Sequence, residues 1–169
     1  MGAAVAKHGL DLVYGGGNVG LMGVVADAAL AEGGKVIGVI PQALVEKELA
    51  HRGLTELRIV QSMHERKALM AELANAFIAL PGGYGTLEEF CEILTWSQLG
   101  LHRKPCGLLN VVGFYDPLLA QIDLAVKARF IRPEHRGLFL VEQEPEQLLR
   151  SLLRFQPAAR DKWISKDES

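Results

Sequence analysis

The chain has 169 residues, of which 49% are hydrophobic and 22% are charged, and its net charge is −2. These values exclude a disordered or collagen-like chain and the basic domain that nucleic-acid binding requires. The sequence has neither a run of eighteen apolar residues nor a signal-peptide pattern, and its two cysteines make no disulfide framework. We therefore expect a reduced, cytoplasmic protein that engages no membrane and no nucleic acid.

Short apolar runs alternate with helical patterns along the chain. The predicted strands are Leu12–Tyr14, Lys35–Ile40, Leu57–Val60, Ala76–Leu80, Cys106–Leu109 and Leu138–Val141. The predicted helices lie near Leu21–Glu32, Met63–Ala74, Thr86–Leu99, Tyr115–Ala128 and Pro145–Phe155. Strands that alternate with helices, and that are apolar on both faces, indicate a parallel sheet covered on both sides. We predict a Rossmann-like doubly wound α/β fold, with a single domain over residues 1–155 and a flexible tail over 156–169.

A first glycine cluster, Gly15–Gly20, satisfies G-x-G-x-x-G between a predicted strand and a predicted helix. Such a turn lets a phosphate approach backbone N–H groups at a helix start. A dinucleotide site also needs a carboxylate at the end of the next strand, where this chain has Pro41 and Gln42. The pattern therefore disfavours NAD and leaves two interpretations open, a nucleotide-facing loop and a turn that only packs helix on strand.

A second cluster, Pro81–Thr86, follows a buried strand and opens a helix. Its glycines leave amides uncovered, Thr86 offers either a helix cap or a hydroxyl for a phosphate oxygen, and the helix start adds about half a positive charge. No Gly-Lys-Ser/Thr follows, so this is an anion cradle of another kind than a Walker loop. Glu88 and Glu89 come next; acids here are candidates for chemistry or ordinary partners of the helix dipole.

The other reactive residue types give weaker indications of function. His64-Glu65 begins like a zinc-protease motif, but Ala68 occupies the second ligand position, so we expect no metal site. Cys91 and Cys106 are predicted to be buried small residues.

Three motifs together resemble one family. GGGNVGLMG (Gly15–Gly23), MHERK (Met63–Lys67) and PGGYGTLEE (Pro81–Glu89) resemble the LOG, or "Lonely guy", proteins, over about residues 2–155. The resemblance implies hydrolysis of the N-glycosidic bond of an adenine-type nucleoside 5′-monophosphate, a cytokinin ribotide or AMP, to free base and ribose 5-phosphate. Members were once labelled lysine decarboxylases; nothing in the sequence has the pattern of a pyridoxal phosphate site, and no cofactor is expected.

The resemblance also implies site residues. It places the catalytic pair on Arg66 and Glu89. The substrate-binding positions that it implies are Gly15, Gly16, Gly17, Glu48, Arg66, Lys67, Gly82, Gly83, Tyr84, Gly85, Thr86, Leu87, Glu88, Glu89 and Thr95.

These residue types suit the implied chemistry. Breaking the C1′–N9 bond builds positive charge on the ribose, which the Glu89 carboxylate would stabilise while it orients or deprotonates a water. Arg66 would hold phosphate, support the departing base or position Glu89. The competing interpretation makes Glu89 a surface helix acid and Arg66-Lys67 a solvated helix face, in a non-catalytic nucleotide-binding protein of the same fold.

Two expectations concern what lies around the chain. Members of the family begin with a strand and a Gly-Ser turn upstream of the position of Met1, so we expect that the 169 residues are less than the whole functional protein. The mean hydropathy of +0.15 in so short a chain, together with the resemblance, predicts a homodimer built on helices that include Trp96 and Leu99.

Overall fold

The computed structural model describes residues 1–47 and 49–156 of the chain. The chain divides into two compact units, Met1–Ala74 and Asn75–Ser169. Glu48, a predicted binding residue, and the tail from residue 157 onward, predicted to be flexible, lie outside the described residues. The single domain over residues 1–155 stays a prediction.

The first unit is a three-stranded parallel sheet with helices. Its sheet has the order β1-β2-β3, and the register pairs Leu12 with Val36 and Ile37 with Glu56. All six residues of the central strand are buried, as expected for a strand covered on both faces. The elements are α1 (Gly2–Lys7), β1 (Leu12–Tyr14), α2 (Leu21–Ala31), β2 (Val36–Pro41), α3 (Gln42–Val45), β3 (Glu56–Val60) and α4 (Met63–Leu73).

The second unit repeats this architecture. Its parallel sheet has the order β4-β5-β6, with Phe77 paired to Cys106 and Cys106 paired to Phe139. The elements are β4 (Phe77–Ala79), α5 (Tyr84–Leu99), β5 (Cys106–Leu109), α6 (Asp116–Lys127), α7 (Pro133–Arg136), β6 (Phe139–Glu142) and α8 (Pro145–Leu153).

The central strand of the second unit anchors its core. All four residues of β5 are buried. Gly107 lacks a side chain where Leu148 of α8 packs, since a Cβ there would stand 2.8 Å from the Leu148 Cδ1. The core cluster of buried residues comprises Ala79, Phe90, Cys106, Leu108, Tyr115 and Phe139. This packing fixes the carboxyl ends of β4 and β5, which lead into the loops that begin at Leu80 and Asn110.

The predicted parallel α/β fold class is confirmed, and each predicted strand and helix is present with ends displaced by at most two residues. The short helices α3 and α7 were not predicted, because four residues carry too little periodicity to detect. The prediction that Cys91 is buried is wrong: it lies on an exposed part of α5, whereas Cys106 is buried. Within residues 1–47 and 49–156, no helix combines the length and the apolar character that crossing a bilayer demands.

Candidate functional site

In the first unit, the start of α4 sets the position of Arg66. The Ser62 hydroxyl accepts a hydrogen bond from the Glu65 amide at 3.1 Å and caps the helix. The Glu65 carboxylate in turn accepts from the Gln61 amide at 2.7 Å. This reciprocal capping fixes the first turn of α4 and therefore the face on which the next residue, Arg66, projects.

Arg66 is buried although it is charged. Its side chain belongs to a residue only 8% exposed, and its Nε donates to the Val39 carbonyl of β2 at 3.2 Å. A Cβ built on Gly15 would stand 1.9 Å from Nη2, so the guanidinium lies directly against the Gly15 backbone. The solvated-face interpretation of Arg66 is therefore wrong, whereas Lys67 beside it is half-buried. The first unit holds a fixed cation beside its glycine loop.

The first glycine loop is closed by a neighbouring segment of the same unit. The Asn18 amide donates to the Leu49 carbonyl and the His51 amide donates to the Gly16 carbonyl, both at 2.9 Å. Gly16 takes the left-handed conformation, with φ of 71°. These contacts are those of a packing turn. A substrate-binding role for Gly15, Gly16 and Gly17 stays a prediction.

Buried polar groups hold this closing segment in place. His51 accepts the Gly53 amide at Nδ1 (3.0 Å), so its Nε2 carries the proton that is donated to Asp27 at 2.9 Å. The Tyr14 hydroxyl donates to the Gly17 carbonyl at 3.1 Å. Burial, with a smaller contribution from the Asp27 charge, raises the pKa of Tyr14 to about 12, so this hydroxyl remains a donor.

The second glycine loop is open on one side. Gly83 is the N-cap of α5, and its carbonyl accepts the Leu87 amide at 3.1 Å. The first amides of an α-helix have no acceptor within the helix. A Cβ on Gly83 or Gly85 would meet no atom within 4 Å, whereas one on Gly82 would stand 2.2 Å from the Thr86 hydroxyl oxygen. Thr86 is thus the third helical residue, rather than the cap, and its side chain flanks the loop.

Beyond the loop, the first turns of α5 separate the two carboxylates. Glu89 is half-buried and lies three residues after Thr86, on the same helix face. Glu88 is exposed and projects about 100° away around the helix. Leu87 packs against the core, and Tyr84 is 93% exposed. Of the two carboxylates, Glu89 is the less exposed, and a catalytic role for it stays a prediction.

Thr95 is separated from this turn. It lies nine residues after Thr86, which is about 13 Å along the helix axis. Its hydroxyl donates to the Cys91 carbonyl of the same helix at 2.8 Å. A substrate contact by Thr95 stays a prediction.

Sequence reasoning missed a buried polar turn at the carboxyl end of β5. Asn110, only 4% exposed, accepts the Tyr115 amide at Oδ1 and donates from Nδ2 to the Asp116 carboxylate, both at 2.7 Å. The Tyr115 hydroxyl donates to the Leu80 carbonyl, one residue before Pro81 of the open loop. An asparagine directly after a fully apolar strand is the signal that could have indicated this turn.

Two other titratable groups are structural. Burial raises the pKa of the Cys106 thiol to about 12, which makes it a poor nucleophile. Burial also lowers the pKa of His102, whose Nε2 donates to the Ile93 carbonyl at 2.9 Å while Nδ1 accepts the Lys104 amide at 3.1 Å. Across the part of the chain that the structure describes, no three His, Cys, Asp or Glu side chains are grouped to hold a metal ion.

Comparison with known proteins gives one family and one fold. The family model described as "Possible lysine decarboxylase" matches residues 22–152. The chain is 51% identical over 157 residues to the cytokinin riboside 5′-monophosphate phosphoribohydrolase LOG of Oryza sativa subsp. japonica, covering 93% of this chain and 65% of that protein. It is 56% identical over 153 residues to the cytokinin riboside 5′-monophosphate phosphoribohydrolase of Rhodococcoides fascians, covering 90% of this chain and 77% of that protein.

A solved structure shares the fold. The molybdenum cofactor binding protein of the phototrophic bacterium Rippkaea orientalis superposes with a TM-score of 0.67 at 24% identity, over 90% of this chain and 83% of that one. This likeness supports the parallel α/β class that the sequence predicts and carries no information about the ligand.

Proposed function

This chain belongs to the LOG family, and we propose that it hydrolyses the N-glycosidic bond of adenine-type nucleoside 5′-monophosphates. The products are the free base and ribose 5-phosphate. The rice relative is named for this activity on cytokinin riboside 5′-monophosphates, and the chain spans 65% of its length. The observation that carries the proposal is the open face of Gly83 and Gly85 at the start of a 16-residue helix.

The phosphate group is assigned to the second glycine loop. The first-turn amides of α5 and the partial positive charge of its N-terminus favour an anion there. Gly83 and Gly85 leave the space in which phosphate oxygens would approach the backbone, and the Thr86 hydroxyl flanks it. Calorimetry with ribose 5-phosphate tests this assignment directly. A crystal structure in which side chains fill this space would contradict it.

The cleavage step is assigned to Glu89 with Arg66. A water oxygen bonds to C1′ as the C1′–N9 bond breaks, and the bonding pair leaves with the base, which takes up a proton to become the free base. A carboxylate at Glu89 stabilises the positive charge on the ribose and accepts a proton from the attacking water. The Arg66 guanidinium, fixed by Val39 and Gly15, supplies a positive charge for the phosphate or the departing base.

One assay separates this function from non-catalytic nucleotide binding. The protein is incubated with AMP and, separately, with isopentenyladenosine monophosphate, and free base is followed by chromatography. Release of adenine or of the modified base supports the hydrolase, and the ratio of the two rates gives the preferred base. Nucleotide binding without release of base would favour the binding protein, which has no need of the Arg66–Glu89 pair.

The assembly and the compartment belong to the same proposal. We propose a homodimer in which α5 takes part, because Trp96 and Leu99 are apolar yet only half-buried and Phe90 is the single buried residue of this helix. The cytoplasm suits the free thiols of Cys91 and Cys106. Light scattering at micromolar concentration tests the dimer, and a monomer alone would contradict it.

A further inference from the structure

The carbonyl of Leu80 lies between the end of β4 and the open glycine loop. The ladder between β4 and β5 ends at the pair Ala79–Leu108, so Leu80 lies one residue beyond it. Pro81 follows and has no N–H to donate. The Tyr115 hydroxyl donates a hydrogen bond to this carbonyl. We propose that Tyr115 is a positioning residue that holds the glycine loop 82–86 in its phosphate-binding form; this inference rests on the proposed function.

Tyr115 is suited to this task because its ring is packed in the core. The residue is 2% exposed and packs in the core cluster with Ala79, Phe90 and Leu108. The ring of Phe114 meets it edge-on, with centroids 4.9 Å apart and planes at 87°. Burial raises the pKa of Tyr115, so the hydroxyl keeps the proton that it donates. A core-anchored ring thus carries a hydrogen-bond donor to the beginning of the loop.

The buried turn at Asn110 fixes the backbone from which Tyr115 projects. The backbone amide of Asn110 donates to the backbone carbonyl of Glu142 at 2.8 Å, which continues the β5–β6 pairing. The Asn110 side chain then accepts the Tyr115 amide and donates to Asp116, the first residue of α6. A continuous series of hydrogen bonds therefore runs from the sheet through Asn110 and Tyr115 to Leu80.

The loop needs a restraint at Leu80 because its own residues restrict the backbone very little. On the helical side, the bond from the Leu87 amide to the Gly83 carbonyl holds the chain. Between Pro81 and that bond lie Gly82 and Gly83, which have no side chains to restrict the backbone. Without the Tyr115 hydroxyl, we expect the loop to sample more conformations, so that phosphate binding has to order it.

Tyr115→Phe tests the inference, since it removes one oxygen and keeps the ring. Hydrogen exchange of the amides of residues 83–86 should become about fivefold faster, the change expected from losing one ordinary hydrogen bond. The affinity for ribose 5-phosphate should fall and KM for AMP should rise by about fivefold, while kcat stays within about twofold. This division between KM and kcat follows because phosphate is held equally in ground and transition states.

Tyr14→Phe is the matched control. It also removes a hydroxyl that donates to a backbone carbonyl, that of Gly17 in the first unit. Urea denaturation should show that both variants are folded and have lost similar stability. Tyr14→Phe should leave the exchange of residues 83–86 at its wild-type value.

The outcomes separate the two proposals. A wild-type protein that hydrolyses AMP, with Tyr115→Phe unchanged in both exchange and KM, would overturn the positioning role and leave the proposed function intact. Equal effects of Tyr115→Phe and Tyr14→Phe on the exchange of residues 83–86 would also overturn it, because the loss would then be one of general stability. A wild-type protein that neither binds ribose 5-phosphate nor releases base would overturn the proposed function, even if exchange in Tyr115→Phe is faster as expected.

Discussion

The two glycine loops follow the same plan and differ in what occupies the space beside them. Each joins the end of a parallel strand to the start of a helix. In the first, the Arg66 guanidinium fills the space over Gly15, and the backbone at Gly16 pairs with residue 51. In the second, the space over Gly83 and Gly85 is open.

A missing side chain therefore has two uses in this protein. At Gly15 the missing Cβ makes room for a charged group of the protein itself, which brings a cation to the end of a strand. At Gly83 and Gly85 the missing Cβ leaves room for something from outside. A glycine-rich turn before a helix therefore indicates close approach, and the neighbouring side chains decide whether protein or ligand approaches.

The largest effect expected is on turnover, through the carboxylate that follows the open loop. Glu89→Gln removes the negative charge and keeps the size of the side chain. Positive charge at C1′ exists only near the transition state, so we expect a loss of about 3–4 kcal/mol, or 10²–10³ in kcat, with nucleotide binding largely retained. Steady-state kinetics with AMP and calorimetry with a non-hydrolysable analogue measure the two quantities.

Glu88→Gln is the control for this prediction, because Glu88 is exposed and Glu89 is half-buried. It should cost less than Glu89→Gln. If Glu89→Gln keeps more than about a tenth of wild-type turnover, well short of the estimate from single electrostatic groups, the catalytic assignment is wrong.

The comparison between the loops is tested most directly by adding the same methyl group to each. Gly15→Ala places Cβ on the Arg66 guanidinium and must displace it, so kcat/KM for AMP should fall by about 10- to 100-fold, the range for one hydrogen bond to a charged group. Gly83→Ala adds Cβ to open space, at a φ of −94° that alanine adopts, and should change the free energy of unfolding by less than about 0.5 kcal/mol.

Ligand titration then separates the two alanine variants. Gly83→Ala should weaken ribose 5-phosphate binding although the protein is as stable as wild type, because the new methyl group occupies the space assigned to phosphate. A Gly83→Ala variant with full affinity would show that the open space is not used. A fully active Gly15→Ala variant would show that the position of Arg66 is unimportant.

The sequence predicted the elements well but not the long-range contacts of the loops. Strand and helix positions follow from local hydrophobic periodicity, so β5 was located at Cys106–Leu109 to the residue. The Arg66 guanidinium that lies against Gly15 and the His51 amide that bonds to Gly16 are 35 or more residues away along the chain and carry no pattern that local reasoning detects. The Tyr115–Leu80 bond was missed for the same reason, since 35 residues separate its partners.

A smaller effect is expected on stability, through the segment that closes the first loop. His51→Ala leaves the Gly53 amide and the Asp27 carboxylate without their imidazole partner, at a site that is 7% exposed. We expect a loss of about 2 kcal/mol in the free energy of unfolding, because two hydrogen bonds worth about 1 kcal/mol each are removed. Urea denaturation measures it. Ribose 5-phosphate affinity, corrected for any unfolded fraction, should stay at the wild-type value; a large loss would indicate that the closed loop also binds ligand.

The smallest expected effect has the opposite sign and concerns strain in the turn after β5. Val112 has a φ of 52° and is 95% exposed, in the turn that Asn110 holds. A left-handed conformation is costly for a β-branched residue, whereas asparagine tolerates it. Val112→Asn should therefore raise the free energy of unfolding by about 1 kcal/mol, because it relieves backbone strain and removes almost no packing.

Val111→Asn is the matched control for Val112→Asn. It makes the same chemical change at the neighbouring residue, which has no positive φ, and should bring no gain. Among the described residues, positive φ occurs only at glycines in the first unit, whereas in the second unit Val112 and Arg129 also have it. If strain at Val112 helps to orient Tyr115, Val112→Asn will also raise KM for AMP. If stability rises while KM for AMP is unchanged, the hydrogen bonds of Asn110 are sufficient to hold the turn. A variant that gains nothing over Val111→Asn would show that Val112 stores no strain.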